Sequence, residues 1–195
     1  MYAIRNFLAL VGLIAVVALI YAAVKLEPVY QAMQGFDEKA GEVYTDMAGK
    51  LLETGNLVEA TVIKVPVEDG LTADEVEEVM KFVANEHNIK NVGELPLYKE
   101  IKAMSGEDHR YVKIFMFCNA LTASRMMDYS DAFSAYLPCR VSMIEDKDGK
   151  LWLYSLNMDA MIYGGTPLPP ALKEEALGVK TTILDIMHRG ATGEF

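Results

Sequence analysis

The sequence predicts an α+β domain carried on an N-terminal transmembrane helix and a stalk helix. Three observations point there. An uncharged apolar run spans Phe7 to Val24, apolar residues recur at steps of three and four from Val29 to Leu51, and short strand-like stretches alternate with helical periodicity beyond Leu57. The order of a strand, a helix, several strands with a hairpin and a last helix implies an antiparallel sheet with its helices on one face. The chain divides accordingly into an anchor (1–27), a stalk (28–56) and the α+β domain (57–195).

The run FLALVGLIAVVALIYAAV covers about 27 Å as a helix, close to the hydrocarbon thickness of a bilayer. A cleaved signal sequence starts alike, but its apolar region is only ~7–15 residues and ends at a small-x-small site, which IYAAVKLEP does not offer. Arg5 precedes the run, and Lys25 follows it with Glu27 close behind. The positive-inside rule then places the N-terminus in the cytoplasm and the domain across the membrane. For a bacterium this describes a single-pass inner-membrane protein with a periplasmic domain. Beyond residue 26 the chain carries 16 basic and 28 acidic side chains, a net charge of −12, which repels phosphate backbones and excludes nucleic acid as a partner.

Pro28 is suited to the first turn of a new helix. From it, Val29, Met33, Phe36, Ala40, Val43, Met47 and Leu51 make one apolar seam, ending at Thr54-Gly55-Asn56. That face either lies on the chain's own domain or mediates self-association or docking on a membrane-protein complex. Alternation in VEATVIKVPV predicts a strand over 58–67. Thr72 and Glu75 form a capping-box pattern opening a helix to about Asn88, with Val76, Val79, Met80 and Val83 on its apolar face. A short helix over Leu97–Met104 follows, and the aromatic and β-branched run Tyr111–Cys118 reads as a central strand. After a short helix over Thr122–Tyr129 come strands Arg140–Glu145 and Leu151–Leu156, joined by Asp146-Lys147-Asp148-Gly149, a strong hairpin signal. Pro167, Pro169 and Pro170 stiffen a loop, and a last helix runs from about Ala171 to His188.

Three short motifs in order, FCN (117–119), LPCR (137–140) and EDKDGKLWL (145–153), resemble the family known as domain of unknown function 302. The resemblance covers roughly residues 57–189. It implies a strand, a helix, four strands and a helix, as in TATA-binding-protein-like α+β folds, and it implies no catalytic residue. The anchor, the stalk and the extended segment NMDAMIYGGTPLPP (157–170) depart from the short family pattern.

The candidate chemistry is mostly sulfur. Cys118 and Cys139 end one predicted strand and begin another, so they are either buried free thiols, a disulfide, or a ligand or redox pair. In an oxidising compartment a bridge over the 20 intervening residues would stabilise by about 3 kcal/mol. Met158 and Met161, at i and i+3, with Cys139 and His188, make a candidate soft-metal or haem set, against the commoner use of Met as a core filler. No cofactor is predicted outright; haem or copper is the alternative. No paired carboxylates, phosphate loop, zinc spacing or nucleophile elbow is present, so nothing asks for an enzyme. The Gly/Pro-rich stretch with Asn157, Met158, Met161, Ile162, Tyr163, Gly164 and Gly165 reads as a rigid, exposed recognition loop. These features together predict a membrane-anchored, non-catalytic accessory or interaction protein, such as a subunit or assembly partner of a membrane redox complex. The alternative is a haem-, copper- or small-ligand-binding domain.

Overall fold

In the computed structural model, which describes residues 2–195, the apolar run lies in one long exposed helix, α1 (Tyr2–Met33). Among the described residues this is the one helix long and apolar enough to cross a membrane, over Ile4–Met33. Pro28 does not start a new helix, because α1 continues through it. A proline removes one backbone hydrogen bond, and the Gln31 amide bonded to the Glu27 carboxylate at 2.6 Å spans that point. The break between anchor and stalk falls instead at residues 34–39, before α2 (Ala40–Thr54). The apolar seam is therefore split. Val29 and Met33 stay exposed on α1, while Ala40 is buried and Val43 and Met47 are half-buried against the domain.

A short helix, α3 (Leu57–Thr61), occupies the first half of the stretch predicted as a strand. Asn56 caps it by accepting the Val58 amide at 3.0 Å. The strand proper, β1 (Val62–Pro66), begins only where a partner exists, since Val62 pairs with Leu156, the last residue of the neighbouring strand. Then follow α4 (Ala73–Glu86), β2 (Lys90–Leu95), α5 (Leu97–Ser105), β3 (Val112–Cys118) and α6 (Ala120–Tyr129). A 3₁₀ turn (Asp131–Ala135) leads to β4 (Cys139–Glu145) and β5 (Leu151–Leu156). Helices α7 (Asp159–Tyr163) and α8 (Pro170–Thr192) complete the chain. The five strands form one antiparallel sheet in the order β1-β5-β4-β3-β2. The chain is α+β as predicted, with one more strand than the residue pattern gave. The extra strand, β2, is a polar edge strand whose register slips between Asn91 and Gly93.

Helices α4 and α8 cover one face of the sheet. Val76, Val79, Met80 and Val83 of α4 and Ile183, Ile186 and Met187 of α8 close over Phe115, Val141, Met143 and Leu153, all nearly inaccessible. Gly190 lets α8 approach α4, because a Cβ there would come within 2.5 Å of Met80 Cγ. Thr72 and Glu75 form the expected capping box. At the hairpin, Asp146 accepts the Asp148 and Lys150 amides at 2.9 Å and the Trp152 indole N–H at 2.8 Å, while Gly149 takes φ 83°. Beside β2, Lys81 and Lys113 alternate with Glu77 and Glu94 in a ring of four ion pairs of 2.5–2.7 Å. Burial alone would raise the Glu94 carboxyl. The hydrogen bonds from Lys113, Lys81 and Asn91 outweigh it and bring the carboxyl down to about 2.

Candidate functional site

Helix α2 does not stand away from the domain as a free stalk. Its Tyr44 hydroxyl donates to the Gly164 carbonyl. Just before α2, the Asp37 amide donates to the Gly165 carbonyl at 2.8 Å. The buried Asp37 carboxylate meets the Lys173 ammonium at the start of α8 and accepts the Lys39 amide at 3.1 Å. These two groups, Lys173 first, hold the Asp37 carboxyl below the usual carboxylate range. Tyr163 lies between Lys39 and Lys173, whose ammonium nitrogens are 5.2 and 5.0 Å from its ring centre. Docked in this way, α2 becomes one wall of a cleft of about 490 Å³. The opposite walls are α7, the 3₁₀ turn and the end of β5. Val43, Met47, Phe133, Tyr136, Leu156 and Met161 give it an apolar lining. Three lysines (Lys39, Lys50, Lys180) and three carboxylates (Glu42, Asp46, Asp159) also line it, so its charges balance in a chain of net −10. Lys180 is paired with Asp159, which fixes α7 to α8.

Behind the cleft lies a second, smaller space of about 30 Å³. Met126 of α6, Cys118 of β3, Cys139 of β4, Met158 and Met161 line it, among apolar neighbours that include Phe117 and Val179. Helix α6 is held over it because Glu175 of α8 accepts from Thr122 Oγ1 at 3.0 Å and from Arg125 Nε at 2.8 Å. Cys139 stands opposite Phe117 in the β3–β4 ladder, so it shares the helix-covered face of the sheet. Cys118, the last residue of β3, lines the same cavity. Both cysteines are free thiols. Burial, with a smaller contribution from Cys118, pushes the Cys139 thiol up to about 11, and burial also raises Cys118. In both, burial works against the thiolate form.

The family model for domain of unknown function DUF302 matches residues 63–189. The chain belongs to the DUF302 family. A solved structure, described as the crystal structure of an uncharacterized conserved protein DUF302 from Bacillus stearothermophilus, is similar over 66% of this chain and 97% of its own. Its TM-score is 0.54 at 16% identity, a likeness of fold. Among curated proteins, none matches the sequence. Helices α1, α2 and α3 precede the matched DUF302 residues, so the cleft has one wall outside the family domain, whereas the sulfur-lined cavity lies within it.

The motifs that carry the family resemblance have structural uses here. Asn119 of FCN ends β3 and caps α6 by accepting the Leu121 and Thr122 amides at 3.2 Å. The Leu137–Pro138 peptide of LPCR is cis and leads into Cys139. Asp146 organises the hairpin. Of the candidate residues, the structure brings Cys118, Cys139, Met158 and Met161 to one cavity and adds Met126. It leaves His188 out: that side chain is exposed, nine residues along α8 from Val179, or about 13 Å.

The stretch 157–165 corrects another expectation. It is not an exposed loop, because Met158, Ile162 and Tyr163 are 7%, 2% and 8% accessible, Gly164 is buried, and Asn157, Met161 and Gly165 are half-buried. The physical reason is the helical turn α7, which points its apolar side at Leu168, Leu172 and Ala176. A Cβ at Gly164 would collide with the Ala160 carbonyl oxygen. The Gly164 and Gly165 carbonyls receive the chain's own α2 segment. Asp37, Lys173 and Tyr44 were missed in the sequence. Lone polar residues far apart in the chain give no local signal, although Asp37 falls on the break in the apolar seam.

Proposed function

We infer that the protein is a membrane-anchored binding domain whose cleft between α2 and the DUF302 fold takes a small amphipathic molecule, uncharged or zwitterionic. The observation that carries this reading is the cleft itself. Its volume of about 490 Å³ falls within the ~300–1,000 Å³ typical of ligand pockets, its floor is apolar, and balanced charges line its walls. In this reading α1 spans the inner membrane with its N-terminus in the cytoplasm, and the domain binds on the periplasmic side as a non-catalytic accessory protein. An assembly partner of a membrane redox complex remains the second reading. It drew on the anchor, the apolar seam of the stalk and an exposed apolar loop, and with residues 157–165 folded inward and α2 packed on the domain the cleft supports ligand binding better.

The test is native mass spectrometry of the full chain, extracted gently from its own membrane, beside Met47→Trp, which fills the cleft from α2. Wild type is expected to carry a bound small molecule that Met47→Trp loses while keeping its melting temperature. A wild-type chain with no adduct, and no thermal shift with small amphiphiles added back, defeats the reading. Recovery inside a large assembly with that cleft unfilled would favour the assembly role.

A further inference from the structure

We propose that the small cavity behind the cleft is a Cu(I) site, held by the Cys139 thiolate and the thioethers of Met126, Met158 and Met161. Four soft donors from three separate parts of the chain converge there: α6, the start of β4, and the segment around α7. Thiolate and thioether ligands select Cu(I) over hard cations. A space of about 30 Å³ holds a single ion and no extended ligand. The remaining lining is mainly apolar; besides Cys118 and Tyr136, its polar side chains are engaged, since Asn119 caps α6 and Thr122 bonds Glu175.

The charge also fits. One thiolate neutralises one monovalent ion, so the filled site is neutral in its apolar surroundings. With Cys118, the second thiol of the lining, kept protonated, a divalent ion would leave a buried, unpaired charge, which costs several kcal/mol. Loading exchanges one bond for another: the Cys139 S–H proton leaves to solvent as the S–Cu bond forms, and copper enters and stays as Cu(I). Cys118 on β3, Arg140 beside Cys139 on β4, and Tyr136 are the other titratable groups at this position. There is a way in, because Met161 and Tyr136 line both this cavity and the open cleft. The inference does not depend on the cleft having a ligand of its own.

The experiment titrates Cu(I) into the full chain in detergent, without oxygen, against the chelator bicinchoninate, with Ag(I) as a second probe. Wild type is expected to take one Cu(I) per chain, release one proton and gain ultraviolet Cu–thiolate absorption. Cys139→Ser should lose at least ~100-fold in affinity and no longer release the proton. Met126→Leu, Met158→Leu and Met161→Leu, which nearly conserve volume, should each lose about 10-fold with the circular dichroism unchanged. Cys118→Ser, which also touches the cavity, should keep the one-proton release and lose less affinity than Cys139→Ser. Failure of wild type to draw Cu(I) from bicinchoninate overturns the proposal. So does uptake that survives Cys139→Ser, or that disappears in Cys118→Ser alone.

Discussion

Between α4, α8 and the sheet, the core is a close-packed set of mostly Val, Ile and Phe side chains, with Met80, Met143 and Met187 fully buried among them, flanked by a ring of four ion pairs. Under α7 the chain builds a second cluster from Met126, Met158, Ile162, Tyr163 and Leu172, with Cys139 and Met161 against it. There the accessibilities are a few per cent, a cavity remains, and a cleft opens beside it. Met adapts to irregular gaps and serves both clusters, so what separates them is the space left beside the second rather than the kind of side chain. The contrast teaches that the two clusters are suited to different tasks. The first fixes the fold, and the second leaves room beside the segment that α2 grips.

The strongest test of that contrast compares one side chain from each cluster. Phe115→Ala, in the middle of β3, should cost about 3–5 kcal/mol by chemical denaturation. Met158→Leu, in the second cluster, should cost less than about 1.5 kcal/mol. Equal losses would mean that the second cluster is packed as rigidly as the first, and the distinction would fail.

The first cluster was largely legible in the sequence. Val76, Val79, Met80 and Val83 stood at helical spacing behind a capping box, and Tyr111–Cys118 stood out as a strand by its aromatic and β-branched content. The hairpin was announced by Asp148-Gly149. What stayed hidden depended on partners. Residues 58–61 alternate like a strand, yet β5 ends at Leu156 and offers them nothing to pair with. Lys90–Leu95 is too polar and too short to stand out, and it is a strand only because β3 lies beside it. The second cluster was half legible. Cys139, Met158 and Met161 were singled out as possible ligands, but no local pattern shows that Met126 would join them or that His188 would not. An apolar stretch rich in Gly and Pro resembles an exposed loop until the element that buries it, here α8 with α2, is in place.

Acid should separate the clusters next. The folded Glu94 carboxyl sits at about 2 against an ordinary 4.5. Its contribution is therefore complete above about pH 4.5 and is lost as the pH falls toward 2. The shift corresponds to about 3 kcal/mol before screening, and partial exposure reduces this to about 1–2 kcal/mol. Glu94→Gln should flatten the fall in stability between pH 5 and pH 2.5, measured by urea denaturation at each pH. A curve as steep as that of wild type would show that the ring does not act through Glu94.

The smallest effect falls on the join between the second cluster and α2. Tyr44→Phe keeps the ring and removes only the hydroxyl that donates to the Gly164 carbonyl. A single hydrogen bond is worth about 0.5–1.5 kcal/mol, and this one lies at a half-buried edge, so global stability should fall by about 1 kcal/mol or less. The local effect should be larger than the global one. Amides of α2 should exchange faster with deuterium, because Asp37 and Lys173 would be left holding the segment while α2 itself loosens. Amides of β3 and β4, which depend on the first core, should keep their wild-type protection. Uniformly faster exchange would mean that α2 unfolds only with the whole domain, so that the cleft wall belongs to the rigid core. Faster exchange confined to α2 would make that wall a movable part of the binding site, set against a framework that does not move with it.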